Sequence, residues 1–313
     1  MSKCTLCKRK DAVYQRPYSG ERLCRRCFVR SIESKVRGTI AKYDMLKPDD
    51  KIMVAVSGGK DSLTLLYILA KIERAFPEAK LLAVTIDEGI RGYRDEAIRV
   101  AVKNCGKLGV EHIVTSFKET FGYNLDEIVG ITQERGEGLT PCSYCGVLRR
   151  QALNKAAREA DVDKLATAHS LDDETQTMIL NIVHGDALRI ARAKPVLTAI
   201  HPKLVQRIKP LCEVPEKESA FYAYLKKIEF QSIPCPYAQA ALRNDIRTML
   251  NRIEEKHAGV KFTIFKSVER IRPALEAMAE KARIQDCEIC GEPTVGKICR
   301  SCQMLQKLPF YGV

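Results

Sequence analysis

Short apolar runs and amphipathic segments follow one another along the central part of the chain. Continuous apolar runs are typical of strands buried on both faces, whereas apolar residues three and four positions apart are typical of helices. The predicted strands are 51–56, 80–87, 111–117 and 163–170, and the predicted helices are 61–76, 94–109, about 145–160 and 171–185. This alternation predicts an α/β fold, a doubly wound parallel sheet covered by helices.

Both ends of the chain depart from this alternation. Residues 31–48 have the pattern of a helix that ends at Pro48, and from about residue 200 the pattern becomes mixed and more helical. Cysteine-rich segments lie outside these regions. The predicted organisation is an N-terminal zinc module at 1–30, a linker helix at 31–50, an α/β catalytic domain at 51–215, a helical extension at 216–282 and a C-terminal zinc module at 283–313.

Basic residues outnumber acidic ones, and the 313-residue chain has a formal net charge of +13. A solvated basic surface explains this excess, and so does a polyanionic partner such as RNA. The basic clusters are Arg25, Arg26 and Arg30; Arg189, Arg192 and Lys194; and Arg243 and Arg247. No apolar run has the length of a membrane span, and the N-terminus has no apolar signal segment. We therefore expect no membrane association and a cytoplasmic, reducing environment.

Eight of the thirteen cysteines form two sets, one near each end of the chain. Each set consists of two C-x-x-C pairs, and each pair turns two thiolates toward one ion. Four thiolates complete the closed tetrahedral shell of a structural Zn²⁺ site, whereas a reducing environment disfavours disulfides. The two predicted zinc sites are Cys4, Cys7, Cys24 and Cys27, and Cys287, Cys290, Cys299 and Cys302.

The string "SGGKDS" joins the first strand of the central domain to its helix. Gly58 and Gly59 let backbone N–H groups approach a phosphate, and Lys60 and the helix N-terminus add positive charge. A Walker A motif would need a glycine where Val54 stands, and the string instead resembles the PP-loop of the N-type ATP pyrophosphatases. The resemblance implies an ATP site formed by Ser57, Gly58, Gly59, Lys60, Asp61 and Ser62, with Ile86 beside the adenine.

A second polar string, "ATAHSLDDETQT" at 166–177, follows the last predicted strand and lies at the same edge of the sheet. Ser170 and Asp173 have the spacing of a helix-capping box, which is the purely structural alternative. In a PP-loop protein, the same string resembles the family's second nucleotide motif. That resemblance implies that His169 and Asp173 line the ATP site, with Asp173 placing Mg²⁺ or moving a proton.

A third C-x-x-C pair, Cys142 and Cys145 in "PCSYCGVLRR", has no partner pair nearby. Its spacing also fits a thioredoxin-like redox pair, although the βα context of such a pair is missing. With the two end modules and the isolated Cys235 in "IPCPY", this string resembles the TtcA/TtuA group of tRNA 2-thiouridine synthetases, and its TtuA branch most closely. The resemblance implies that Cys142, Cys145 and Cys235 hold a [4Fe–4S] cluster with one iron open to sulfur. A persulfide resolved as a disulfide is the alternative.

The same resemblance implies a reaction. ATP adenylates the C2 oxygen of a tRNA uridine, pyrophosphate leaves from the PP-loop beside Lys60, and sulfur then displaces AMP. The first expectation for the target is the T-loop uridine 54. The expected sulfur source is a thiocarboxylated ubiquitin-like carrier protein or sulfide. Arg149 is expected to contact the α-phosphate or the incoming sulfur, with a tRNA phosphate as the alternative.

Three other functions stay open at this point. They are the same chemistry at the wobble uridine 34, a PP-loop tRNA modification without thiolation, and a zinc-ribbon RNA-binding scaffold without enzymatic activity. Cys105 and Cys212 are expected to be core thiols outside the site. The sequence leaves open whether two chains form a homodimer.

Overall fold

The computed structural model describes residues 2–136, 139–240, 242–278 and 283–309. Parts of the predicted segments 216–282 and 283–313, namely 241, 279–282 and 310–313, lie outside the described residues. The strands are β1 (Tyr14–Gln15), β2 (Arg22–Leu23), β3 (Lys51–Ala55), β4 (Lys80–Asp87), β5 (Glu111–Ser116), β6 (Lys164–Ala166), β7 (Val196–Leu197), β8 (Gln206–Ile208), β9 (Gln285–Asp286) and β10 (Pro293–Thr294).

Helices occupy most of the remaining described chain. They are α1 (Arg25–Lys42), α2 (Lys60–Glu73), α3 (Arg94–Leu108), α4 (Phe117–Phe121), α5 (Leu125–Glu134), α6 (Pro141–Glu159), α7 (Leu171–Val183), α8 (Ala187–Arg192), α9 (Glu216–Leu225), α10 (Leu242–Lys256), α11 (Val260–Met278) and α12 (Arg300–Leu305). A short 3-10 helix spans Pro236–Ala240. Among the described helices, none is both long enough and apolar enough to cross a membrane.

Six strands form the central sheet in the order β5-β4-β3-β6-β8-β7. All neighbouring pairs are parallel except β7 and β8, which are antiparallel at one edge. The predicted α/β class with a parallel, helix-covered sheet is therefore confirmed, and the short strands β7 and β8 are additions that the apolar pattern did not predict. Because parallel strands share a direction, the segments that follow β3, β4 and β6 meet at one edge.

Alternate residues of β3 point into two hydrophobic cores on opposite faces of the sheet. Ile52 and Val54 belong to the core formed with α1, α2, α3 and α9. Met53 belongs to the core formed with α5, α6 and α12. Full burial of such a side chain contributes about 1.5–3 kcal/mol each, so both helical layers are held firmly on the sheet.

Two helices begin earlier than the apolar pattern predicts. The structure starts α1 at Arg25 rather than at residue 31, with Cys24 as its N-cap, so the second C-x-x-C pair of the N-terminal module opens the helix. It starts α6 at Pro141 rather than near 145, because Thr140 caps the helix and proline suits its first position. The early start of α6 puts its C-x-x-C pair on one helical turn.

Candidate active site

The segment 57–62 forms a tight loop between β3 and α2. Gly58 has a φ of +85°, and a Cβ atom there would lie 2.5 Å from the carbonyl oxygen of Ala97. Only glycine tolerates both this backbone angle and this close approach. Ser62 Oγ accepts a hydrogen bond from Ser57 N (3.1 Å) and donates one to Gly59 O (2.9 Å). Gly59 leaves the start of α2 without a side-chain cap, as suits a helix that binds an anion.

Lys60 is held by two carboxylates. Its Nζ lies 2.8 Å from Asp61 Oδ2 and 2.7 Å from Glu216 Oε1. Glu216, the first residue of α9, also forms an ion pair of 2.9 Å with Arg247. The PP-loop lysine was predicted from its motif, whereas Glu216 was missed because it reaches the loop from 156 positions away.

Asp61 and Asp173 are the carboxylates best placed for a hard cation. Asp61 Oδ1 is buried without a hydrogen bond of normal geometry, although the Ser219 hydroxyl is close to the carboxylate. Burial raises the pKa of Asp61, with Lys60 opposing this rise and the charge of Asp173 adding to it. A buried carboxylate oxygen beside a second, repelling carboxylate fits a Mg²⁺ ion.

Asp173 also forms the capping box that its spacing suggested. Ser170 N and Oγ donate to Asp173 Oδ2 at 2.9 and 2.8 Å, and Asp173 N donates back to Ser170 Oγ at 3.3 Å. The neighbouring His169 places Nδ1 2.9 Å from Thr167 Oγ1. Desolvation by surrounding groups, followed by the charge of Lys209, lowers the pKa of His169, although the side chain is exposed. His169 is therefore neutral at pH 7 and would contact a nucleotide only as a neutral hydrogen-bonding group.

Ile86 lines a small cavity at the carboxyl ends of β3 and β4, together with Ala55, Val84 and Leu153. Arginine side chains border the same cavity, so its floor is apolar and its rim is charged. Thr85, the neighbour of Ile86, does not line this cavity. Its hydroxyl donates to Val56 O at 2.7 Å and lies 2.8 Å from His112 Nε2.

The three central cysteines lie around the first turns of α6. Cys142 is exposed, Cys145 is buried and Cys235 is half-buried. Cys142 Sγ donates to Tyr237 O at 3.5 Å, and the charge of Cys235 helps to raise the pKa of both Cys142 and Cys145. In the described part of the chain, three or more sulfur ligands lie within 4.8 Å of one another only in the terminal sets. The wider central set suits a cluster of several irons better than one zinc.

Burial is the main cause that raises the pKa of Cys145 to about 11, and it also raises the pKa of Cys142. The charge of Arg149 opposes the rise in both residues. Nucleophilic and redox-active cysteines have lowered pKa values because the thiolate is their reactive form. The thiolate is also the form that binds a metal, so a metal that binds here must release these protons.

A buried carboxylate connects these cysteines to the PP-loop. Glu88, whose side chain is 3% exposed, places Oε1 2.6 Å from Arg149 Nε and Oε2 2.7 Å from Arg94 Nε. Arg94 donates to Ser57 O at 3.1 Å, and Arg149 donates to Cys145 Sγ at 3.0 Å. Sequence reasoning missed Glu88 and Arg94, although an acidic residue directly after β4 was a usable signal for the functional edge of the sheet.

The two terminal cysteine sets have a different geometry. Cys7 and Cys24 place their sulfurs 3.8 Å apart, and Cys290 and Cys299 place theirs 3.6 Å apart. Zinc–sulfur bonds of about 2.3 Å give a tetrahedral edge of about 3.8 Å. The backbone N–H groups of Lys10 and Arg9 lower the pKa of Cys7 to about 6, which prepares a thiolate. Both sets fit one tetrahedral Zn²⁺ each.

The fold and this edge of the sheet define an α/β nucleotide-binding protein with a PP-loop, flanked by two closed Cys4 modules. Residues 30–254 match the family model described as a PP-loop domain. Residues 3–29 match the model described as the N-terminal LIM domain of the 2-thiouridine synthetase TtuA. The chain therefore belongs to the PP-loop family.

Relatives that match nearly the whole chain identify a narrower group within the PP-loop family. The tRNA 2-thiolation protein NcsA of Haloferax volcanii is 36% identical over 320 residues, which cover 97% of this chain and 98% of that one. A probable sulfurtransferase of Methanocaldococcus jannaschii is 37% identical over 304 residues, covering 95% and 86%. The cytoplasmic tRNA 2-thiolation protein 1 of Oryza sativa is 34% identical over 307 residues, covering 97% and 82%.

A solved structure agrees with these relatives. The U34-tRNA thiolase NcsA from Methanococcus maripaludis, described with its [4Fe–4S] cluster, is 36% identical, with a TM-score of 0.85 and coverage of 98% of this chain and 97% of that one. The chain is thus a PP-loop enzyme of the tRNA 2-thiolation family. The N-terminal module matches the TtuA model, whereas the solved relative is named for uridine 34 rather than for the expected T-loop uridine 54.

Proposed function

We propose that this protein catalyses ATP-dependent 2-thiolation of tRNA at the wobble uridine 34. One observation supports the proposal most strongly. At this edge of the sheet, ion pairs and hydrogen bonds of Arg94, Glu88 and Arg149 link the PP-loop to Cys145. A nucleotide site and a sulfur site within one network are what an adenylation followed by sulfur transfer requires. The alternatives without thiolation leave the central cysteines unexplained.

The residues around the PP-loop handle ATP in this proposal. Ser57, Gly58 and Gly59 supply the loop that receives the pyrophosphate portion, and the N-terminus of α2 adds positive charge. Lys60 exchanges its present partners, Asp61 and Glu216, for phosphate oxygens and stabilises the charge that develops on the leaving pyrophosphate.

Asp61 and Asp173 would hold a Mg²⁺ ion, which would neutralise charge on the phosphates. Ser62 keeps the loop closed, and Ile86 packs against the adenine. His169 borders the nucleotide as a neutral group. The uridine C2 oxygen attacks the α-phosphate, so AMP is transferred to it and pyrophosphate departs.

Cys142, Cys145 and Cys235 are proposed as the ligands of a [4Fe–4S] cluster. When bound, such a cluster supplies an iron without a protein ligand that can hold a sulfur atom. Arg149, whose side chain is 45% exposed, stands between Cys145 and Glu88 and orients the α-phosphate or the incoming sulfur. Burial of Cys145 keeps water away from one side of this site.

The remaining assignments complete the proposal. The two Cys4 modules hold structural Zn²⁺, the basic surface binds tRNA, and the sulfur arrives as sulfide or from a thiocarboxylated ubiquitin-like carrier protein. The relative from Oryza sativa is named cytoplasmic, and we assign the same location here. Sedimentation of the holoprotein distinguishes a monomer from a homodimer.

The test is thiolation of a defined substrate. Anaerobically prepared protein is incubated with ATP, Mg²⁺, sulfide and a tRNA transcript that has uridine at both positions 34 and 54. The transcript is then digested into fragments that separate the two positions, and the sulfur in each fragment is measured by mass spectrometry. Two matched transcripts carry cytidine at one position or the other. Sulfur is expected in the fragment with U34 and lost only from the U34C transcript. Sulfur at position 54, or none at all, would overturn the proposal.

A further inference from the structure

Two arginines beside the active site have no counter-charge. Arg150 follows Arg149 on α6, and Arg207 lies on β8. Among the residues that the structure describes, neither side chain makes a hydrogen bond or an ion pair, and Arg207 Nε is buried without an acceptor. Arg150 is exposed to solvent and Arg207 is half-buried. A buried guanidinium nitrogen without an acceptor is costly, so the retention of Arg207 indicates a partner that completes the site.

The strand geometry places Arg207 on the face of the sheet that α6 covers. Its neighbour Ile208 belongs to the core on the opposite face, while Leu165, its partner on β6, belongs to the core beneath α6. Because side chains alternate along a strand, Arg207 points toward α6, and it is close enough to Arg150 for the two charges to repel each other.

The surroundings of this pair are positive. Burial, and then the charge of Arg150, lower the pKa of Arg207 to about 10. Desolvation by neighbouring atoms, and then the charges of Arg149 and Arg189, lower the pKa of Arg150, although its side chain is exposed. No carboxylate takes part in either shift in the described structure. The side chain of Arg189 on α8 is 68% exposed, and its Nε lies 3.0 Å from Asp186 Oδ2. Arg189 is therefore a member of this group that faces solvent.

We propose that the arginine cluster, defined as Arg150, Arg189 and Arg207, binds a backbone phosphate of the tRNA next to the reacting uridine. This inference rests on the proposed function and extends it to a contact that positions the substrate. A phosphodiester supplies the missing acceptor oxygens, and guanidinium groups match its geometry. The order β3-β6-β8 puts Arg207 two strands, about 10 Å, from the strand that carries the PP-loop. Separate measurements of tRNA binding and ATP-analogue binding distinguish the RNA from ATP as the source of the phosphate.

The test measures tRNA binding by the full-length holoprotein over a series of KCl concentrations, with the thiolation substrate transcript labelled for fluorescence anisotropy. Arg207→Gln and Arg150→Gln are the test variants. Lys155→Gln is the matched control, since it removes one positive charge from the exposed side of α6. Binding of a non-hydrolysable ATP analogue, iron content and thermal unfolding are recorded for each protein.

We expect Arg207→Gln to weaken tRNA binding about tenfold and to reduce the salt slope by about 0.7–0.9, the value of one phosphate contact. Arg150→Gln should have the same effect, while Lys155→Gln should change binding less than about twofold. ATP-analogue affinity and iron content should stay at wild-type values, and the melting temperature should not fall, because each test variant removes an uncompensated charge. Unchanged tRNA affinity and slope in both test variants would overturn the inference, and so would a selective loss of ATP affinity.

Failure of the proposed function gives a different result from failure of the proposed phosphate contact. Wild-type protein that binds tRNA without thiolating U34 refutes the proposed reaction, while the salt slopes of the variants still decide the phosphate contact. Wild-type protein that does not bind tRNA refutes both.

Discussion

The terminal and central cysteines share the same C-x-x-C motif and differ in everything that surrounds it. In the end modules the sulfurs of two pairs converge to 3.6–3.8 Å, and four thiolates close the shell. In the centre, one pair on α6 meets a single cysteine from a distant segment, at wider spacing and beside Arg149. A closed shell stabilises a fold, whereas an incomplete one next to a nucleotide loop can take part in chemistry.

The largest expected effect comes from breaking the central set. Cys142→Ala should reduce tRNA thiolation at least about 1000-fold, because a ligand of the sulfur-handling site is lost. Iron should disappear from the purified protein, while zinc stays at about two atoms per chain. Thiolation assays and elemental analysis measure both. The buried Cys105→Ala is the control and should keep metals and activity. Full activity in Cys142→Ala would refute the role of the central cysteines.

Removing a ligand from a terminal cysteine set should have the opposite effect on the metals, because zinc is lost and iron is kept. Cys24→Ser should lower zinc to about one atom per chain and reduce the free energy of unfolding by about 4–5 kcal/mol, because metal binding contributes directly to folding. Iron per folded chain should be unchanged. Denaturant unfolding measures the loss, and Cys105→Ala should cost only about 1 kcal/mol. A stable Cys24→Ser protein with full zinc content would contradict the assignment.

The PP-loop provides the next test. Gly58→Ala should weaken ATP binding about 30-fold, because a Cβ at this position collides with Ala97 O and displaces the loop. Gly122→Ala is a matched control. Gly122 has a similar φ of +80° but nothing within 4 Å of the added Cβ, so only backbone strain of about 1 kcal/mol should remain. Calorimetric titration with an ATP analogue compares the two, and equal affinities would show that the loop does not contact ATP.

The smallest effect is expected at the connection between the two sites. Glu88→Gln should lower kcat/KM for thiolation about tenfold, because Arg149 loses the charge that orients it. Iron, zinc and ATP affinity should stay close to wild type. The control Glu229→Gln removes a solvent-exposed partner of Lys103 and should be silent. Loss of iron in Glu88→Gln would instead assign Glu88 to cluster assembly.

Local motifs account for what the sequence predicted well. The PP-loop, the terminal cysteine pairs and the capping box at Ser170 each depend on residues within a few positions, so their spacing is visible in the chain. Core thiols were also predictable, and Cys105 and Cys212 are buried as expected. The sheet followed from apolar runs, except where strands were only two or three residues long.

The missed features depend on tertiary contacts. Glu216 reaches Lys60, and Arg207 approaches Arg150, from segments remote in sequence, and no local pattern marks either contact. Glu88 could have been predicted from the sequence, because it directly follows β4 at the functional edge of the sheet. The starts of α1 and α6 were misjudged because apolar periodicity does not mark them. Helix α1 begins directly after Cys24, within the N-terminal cysteine set, and α6 has a Thr140 cap and a proline at its first position.

The metal content of the wild-type protein tests the central contrast most directly. Protein purified anaerobically and analysed for iron and zinc should contain about two zinc and about four iron atoms per chain, with X-ray absorption showing zinc surrounded by four sulfurs. About three zinc atoms and no iron would contradict the account, because the central cysteines would then form a third structural site.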